Sequence, residues 1–140
     1  MLVDAMTARM VMKPGSVDTV VASNLHADIL SDLAAALAGS LGVGATSNVD
    51  PTRRRPSMFE PIHGSAFDVT GKGIANPLGS FWTGAMMLDH LGEPAAARRL
   101  MAAVEAVTAR GAVLTPDLGG TATTGQVTEA VIAAVGGTNA

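Results

Sequence analysis

Apolar residues fall along this chain at two different spacings. Between Leu25 and Ala38 they occur at Ile29, Leu30, Leu33, Ala34 and Leu37, steps of three and four that give a helix one core-facing stripe. Asn24 stands where it can cap that helix and Gly39 where it can close it. Upstream, Val17, Thr19, Val20 and Val21 form a β-branched run ending at Ser23, which predicts a short buried strand. Leu2-Val3-Asp4 reads as the end of another strand, and residues 5–12 as helix stopped by Pro14-Gly15. Residues 42–57 predict a loop, with two glycines, two prolines and the run Arg53-Arg54-Arg55. Met58 to Ile62 predicts a short strand broken by Pro61, and residues 63–77 an irregular loop. Helices are predicted over Leu78–Leu91 and Pro94–Ala109, with Gly92 between them and Pro94 suited to a first turn. Thr115-Pro116-Asp117-Leu118-Gly119-Gly120 predicts a turn. A last helix over Thr124–Val135 leads to a tail, Gly136–Ala140, expected to fray.

This inventory is unbalanced. Four or five helices accompany two or three short strands of the apolar kind found in parallel sheets buried on both faces. That is too few for such a sheet. The helices have apolar faces suited to a sheet the chain does not contain, so the expectation is a portion of a larger α/β fold.

Composition narrows the class. Of 140 residues, 48% are hydrophobic and 15% charged, which excludes a disordered polyelectrolyte. The net charge of −3 provides no basic field for nucleic acid. The absence of cysteine excludes disulfides and thiolate metal sites and fits a reducing compartment. Asp4 and Arg9 interrupt the apolar start that a secretory signal needs. The longest uncharged stretch, Leu33 to Val49, carries three glycines, two serines, Thr46 and Asn48, and suits a helix end and loop better than a bilayer span. A soluble, cytoplasmic protein with no membrane or nucleic-acid partner is expected.

Two groups of residues offer chemistry. Asp28 and Asp32 lie four apart on a predicted helix, so both carboxylates share one face. They read either as a solvated acidic face favoured by the helix dipole or as ligands of Mg²⁺ or Mn²⁺, with Asp4 a possible third. The second group is the run from Glu60 to Pro77, with Gly64, Gly71 and Gly73. Its glycines allow backbone N–H groups to approach a ligand, and the helix beginning near Leu78 presents its positive end. Asp68 could accept hydrogen bonds from ribose hydroxyls and would repel a 2′-phosphate, favouring NAD over NADP. The plain alternatives are turn chemistry for the glycines and a hydrogen-bonded loop histidine for His63.

Three segments in order carry a more specific signal: Val3-Asp4-Ala5-Met6, then Ser23-Asn24-Leu25-His26-Ala27-Asp28-Ile29-Leu30-Ser31-Asp32, then Glu60-Pro61-Ile62-His63-Gly64-Ser65-Ala66 through Gly71-Lys72-Gly73-Ile74-Ala75-Asn76-Pro77. Together with Gly39-Ser40-Leu41-Gly42 and Thr115-Pro116-Asp117-Leu118-Gly119-Gly120, they resemble the C-terminal part of the metal-dependent β-decarboxylating dehydrogenases. That family comprises the isocitrate, isopropylmalate, tartrate and D-malate enzymes. His26-Ala27, Met58-Phe59-Glu60 and Phe67 point to the tartrate/D-malate branch.

The resemblance implies a partial isopropylmalate-dehydrogenase-like α/β fold, residues 1–140 forming a C-terminal portion without the N-terminal part. It implies metal ligation by Asp28 and Asp32, with Asp4 acting across a dimer interface. It also implies contacts from His63, Gly64, Ser65, Ala66, Asp68 and Asn76 to the adenosine half of NAD. The implied reaction passes hydride from a 2-hydroxy dicarboxylic acid to NAD⁺ and then loses CO₂, with Mg²⁺ or Mn²⁺ as Lewis acid. The family's substrate arginines, catalytic tyrosine and catalytic lysine precede the matched region, so no catalytic residue is assigned and the chain alone is expected to be inactive. A homodimer or an N-terminal partner chain is the expected assembly. The alternatives are one chain of a split enzyme and a non-catalytic fragment for NAD binding or dimerisation.

Overall fold

The computed structural model describes residues 1–137. They form two compact units, residues 1–41 and residues from Gly42 onward.

The first unit holds α1 (Val3–Met12) and α2 (Asn24–Leu37), which pack on each other. Leu2 to Asp4 is therefore the start of a helix and not the end of a strand. Thr7 Oγ1 donates to the Val3 carbonyl at 2.9 Å inside that helix. A 3₁₀ turn at Pro14–Ser16 follows, held by Arg9, whose Nη2 donates to the Ser16 carbonyl at 2.7 Å and whose Nε donates to Ser16 Oγ at 2.9 Å. Residues 17–23 are not a strand either. The backbone at Val17 and Ser23 is extended, but β-branched propensity becomes a strand only where a neighbour accepts its N–H and C=O groups. Among the described residues no strand pairs with it, and Val21 is 97% exposed. Ser23, not Asn24, takes the cap position of α2, and neither side chain forms a capping hydrogen bond. Met10, Leu30 and Ala35 are buried, and Met10 and Leu30 line an apolar groove of about 600 Å³.

The second unit is a layered stack. Strands β1 (Ala45–Asn48) and β2 (Met58–Pro61) pair antiparallel, with Ala45 opposite Pro61 and Asn48 opposite Met58. The expected parallel, doubly buried strands are thus corrected to one half-buried antiparallel ladder. Residues 45–48, expected as loop, owe their strand to that pairing. The ladder packs on α3 (Leu78–His90), α3 on α4 (Pro94–Arg110), and α4 on α5 (Thr124–Gly137). The core at these helix seams is Leu78, Ala103, Val104, Val107, Val127 and Val131. Gly79 brings α3 against the backbone: an added Cβ would lie 2.8 Å from the Gly42 carbonyl oxygen. Gly111, at φ 66°, ends α4 in the left-handed turn that glycine adopts without steric cost. Gly136 and Gly137 belong to α5, which thus runs two residues past its predicted end at Val135. The rest of that expected tail lies outside the described residues. No helix among the described residues is long and apolar enough to cross a membrane.

Before α5, Thr123 and Gln126 form a reciprocal cap. Thr123 N–H donates to Gln126 Oε1 at 2.8 Å, and Gln126 N–H donates to Thr123 Oγ1 at 3.2 Å. This satisfies donors that an open helix start leaves unpaired.

Candidate functional site

The structure places the expected metal ligands in the first unit. Asp28 and Asp32 lie one turn apart on α2, both exposed, and neither carboxylate has a hydrogen bond or ion pair to a described residue. Their oxygens are therefore free for solvent or a hard cation. Asp4 sits in the first turn of α1, where its Oδ1 accepts the Ala5 N–H at 2.8 Å. Among the described residues no group of three acidic or histidine side chains is arranged to hold a metal. The pair on α2 is therefore an incomplete donor set. Hard oxygen donors with open positions fit Mg²⁺ or Mn²⁺, which commonly use one or two carboxylates with water and an oxygen-rich substrate.

The glycine-rich loop lies in the second unit and has two halves. In the first, His63 Nδ1 lies 3.2 Å from the Gly64 carbonyl oxygen, so the bond forms when Nδ1 carries the hydrogen. Ala66 has φ 42°, a left-handed conformation that costs a non-glycine residue about 1–3 kcal/mol. Its carbonyl collects the N–H groups of Val69 at 2.9 Å and Thr70 at 3.2 Å, and Thr70 Oγ1 at 3.2 Å. Thr70 Oγ1 also approaches the Ser65 carbonyl at 3.2 Å. This coil holds Gly64, Ser65, Ala66 and Asp68 exposed on one short segment. Asp68 has no hydrogen bond or ion pair to a described residue. Gly71 and Gly73, at φ 78° and 66°, end the coil with open space where a side chain would stand.

The second half is clamped. Asn76 is buried, donates Nδ2–H to Asp117 Oδ2 at 2.9 Å, and accepts the Leu78 N–H on Oδ1 at 3.0 Å. The second bond caps the first turn of α3. Thr124 N–H donates to the Gly73 carbonyl at 2.9 Å, and its Oγ1 donates to the Ala75 carbonyl at 2.5 Å. The structure thus gathers His63, Gly64, Ser65, Ala66, Asp68 and Asn76 along one loop, with Asn76 set into its base. Sequence reasoning missed Asp117 and Thr124. The Thr115-to-Gly120 turn was visible, but nothing in the sequence pairs Asp117 with a residue 41 positions away.

The run Arg53-Arg54-Arg55, in the region predicted as loop, is organised by Asp50. The Asp50 carboxylate accepts Thr52 Oγ1–H at 2.7 Å and the N–H groups of Thr52, Arg54 and Arg55 at 2.9–3.0 Å. Arg53, at φ 55°, reaches across to donate Nη2–H to the His90 carbonyl at 2.6 Å, at the end of α3. These bonds, led by Thr52, favour the ionised carboxylate and lower the Asp50 pKa from its ordinary 3.8. A depressed carboxylate pKa contributes stability that is full above the unfolded value and is lost as pH falls through the folded one. Amide exchange at Thr52, Arg54 and Arg55 is therefore expected to stay constant from neutral pH down to about 4 and to accelerate below it, after correction for intrinsic rates. Unchanged protection through pH 2 would show that the carboxylate does not hold the turn.

Comparison with known proteins bears on both groups. Residues 1–131 match the family model for isocitrate/isopropylmalate dehydrogenase. The chain is 72% identical over 139 residues to a probable tartrate dehydrogenase/decarboxylase of Agrobacterium vitis, covering 99% of this chain and 38% of that one. It is 50% identical over 134 residues to a decarboxylating D-malate dehydrogenase of Escherichia coli (strain K12), covering 92% of this chain and 37% of that one. The crystal structure of isocitrate dehydrogenase from Methylococcus capsulatus superposes with a TM-score of 0.91 at 47% identity, over 96% of this chain and 40% of that one. The chain thus spans less than half the length of these relatives. Its two-stranded sheet and the exposed apolar residues Leu25, Ile29 and Leu37 on α2 are what a partial representative of such a fold would have. With the family model matching all but the last residues, the chain belongs to the isocitrate/isopropylmalate dehydrogenase family.

Proposed function

We propose that this chain is the metal- and nucleotide-facing C-terminal portion, a single partial domain over residues 1–140, of a cytoplasmic NAD-dependent β-decarboxylating dehydrogenase. The substrate is a 2-hydroxy dicarboxylic acid of the tartrate or D-malate kind. The observation that carries the reading is the 72% identity over 139 residues to a tartrate dehydrogenase/decarboxylase, spanning both chemical groups. Bound Mg²⁺ or Mn²⁺ would polarise the substrate's hydroxyl and carboxylate oxygens, and NAD⁺ would take the hydride.

The chain's own residues have narrower duties. Asp28 and Asp32 offer two negative oxygen donors on one exposed helical face, and Asp4 serves the site of a partner subunit in a homodimer. The coil around Ala66 presents Gly64, Ser65 and Asp68 to the adenosine half of the nucleotide. Asp68 accepts from the ribose hydroxyls and disfavours a phosphate there. Asn76 sets the base of that surface. The proton-transfer groups lie in the N-terminal portion of the enzyme, on the same polypeptide or on a partner chain.

The test combines binding with turnover. NAD⁺ is expected to change the fluorescence of Trp82, the single tryptophan, or to raise the melting temperature of the purified chain. The same chain is expected to form no NADH from tartrate or D-malate in the presence of Mn²⁺. Turnover by the chain alone would contradict the division of labour, and indifference to NAD⁺ in both readouts would remove the nucleotide site.

A further inference from the structure

Asn76 joins the glycine-rich loop to α3, and its side chain is committed at both ends. Oδ1 accepts from Leu78 N–H and Nδ2 donates to Asp117 Oδ2. A carboxylate only accepts and a backbone N–H only donates, so the amide cannot turn over without facing like against like at both contacts. Asp117 therefore fixes the orientation of Asn76. Of the two hydrogens on Nδ2, one goes to Asp117 and one remains for another acceptor.

Asp117 is itself rigidly placed. It lies in a 3₁₀ turn, Pro116–Leu118, where the Thr115 carbonyl accepts the N–H groups of Leu118 at 3.0 Å and Gly120 at 3.1 Å. The Ala122 N–H donates to the Leu114 carbonyl at 2.9 Å, closing the bracket around that turn. The chain then enters the Thr123–Gln126 cap, which sets Thr124 against the carbonyls of Gly73 and Ala75. The loop end from Gly73 to Asn76 thus hangs from two consecutive anchors outside the loop, Asp117 and Thr124.

We infer that Asp117, assisted by Thr124, is a positioning residue for nucleotide binding: it holds the Asn76 amide with an N–H donor available to the adenosine half of NAD⁺. The inference rests on the nucleotide reading above, and it adds the residue that decides which group Asn76 presents. Asp117 acts here through Asn76, as a positioning residue and not a catalytic one.

The test uses the full chain, with NAD⁺ as probe and binding followed by amide chemical shifts. D117A is expected to raise the NAD⁺ dissociation constant about tenfold, with hydrogen exchange in the α4 core unchanged. D117N keeps an oxygen acceptor for Asn76 and is expected to recover affinity to within about threefold of wild type. Should D117A fail to fold, Thr124→Val removes the Oγ1 bond to Ala75 and is expected to weaken NAD⁺ about threefold. Wild-type affinity in D117A, or in Thr124→Val when D117A does not fold, overturns the inference while leaving the nucleotide reading intact. The same holds if D117N binds no better than D117A. Absence of NAD⁺ binding by the wild-type chain overturns the nucleotide reading, and the inference with it.

Discussion

Replacing Gly120 with alanine is expected to destabilise the second unit by about 3 kcal/mol, in the range for forced overpacking of a closed site. A Cβ at this position would overlap the carbonyl oxygen of Leu114, a backbone atom that cannot swing aside as a side chain can. That carbonyl is already engaged by Ala122 N–H, in the bracket that carries Asp117 and leads into α5. The bracket must open to admit the methyl group, and opening it withdraws Val127 and Val131 of α5, each 1% exposed, from the core around Ala103, Val104 and Val107. A melting temperature lower by roughly 10–20 °C is expected for a unit of this size. Gly125→Ala is the contrast. A Cβ there meets only Thr123 Oγ1 at 3.9 Å, and alanine suits the first turn of a helix better than glycine. That variant is expected to melt at or slightly above wild type. Equal stability of both variants would show that the Leu114–Gly120 approach does not control the unit.

The second large effect concerns the carboxylates of α2. Exchanging Asp28 and Asp32 together for asparagine is expected to abolish Mn²⁺ binding at that helix while leaving stability within about 0.5 kcal/mol. Both side chains are exposed and unpartnered among the described residues, so the fold loses no contact. Removing both charges removes most of the attraction for a hard dication. In wild type, paramagnetic broadening by Mn²⁺ is expected to centre on the amides from Ala27 to Leu33 and to vanish in the double variant. Equal broadening in the two proteins would leave the pair as the solvated, dipole-favoured face that its helical spacing equally allows.

The elements that were legible in the sequence are those whose stability is local or periodic. Helix α2 follows from apolar steps of three and four, and the boundary between α3 and α4 from Gly92 and from Pro94 at the start of α4. The sequence misled where structure depends on a partner. The β-branched run from Val17 onward has the propensity of a strand but no described neighbour to complete it. Conversely Ala45-Thr46-Ser47-Asn48 has no apolar alternation and becomes a strand because it meets β2. Val3 and Asp4 belong to the first turn of α1, with the extended Leu2 at its cap position, which three residues read alone do not reveal.

The site divides in the same way. Motif order made the loop from His63 to Asn76 and the pair Asp28/Asp32 visible, because their chemistry is contiguous in sequence. The left-handed Ala66 and the Asp117–Asn76 bond were not, since one is a conformation imposed by its surroundings and the other joins distant turns. The Thr123–Gln126 cap has the spacing of a capping box, a signal that the sequence reading did not use.

The most direct test of the nucleotide-facing assignment is a titration of the isotopically labelled chain with NAD⁺, and separately with NADP⁺, followed through backbone amide shifts. NAD⁺ is expected to move the amides of Gly64, Ser65, Ala66 and Asp68 together along one saturable curve, and NADP⁺ to bind more weakly because Asp68 faces its added phosphate. Saturable shifts confined to other residues, or no shifts with either nucleotide, would contradict it.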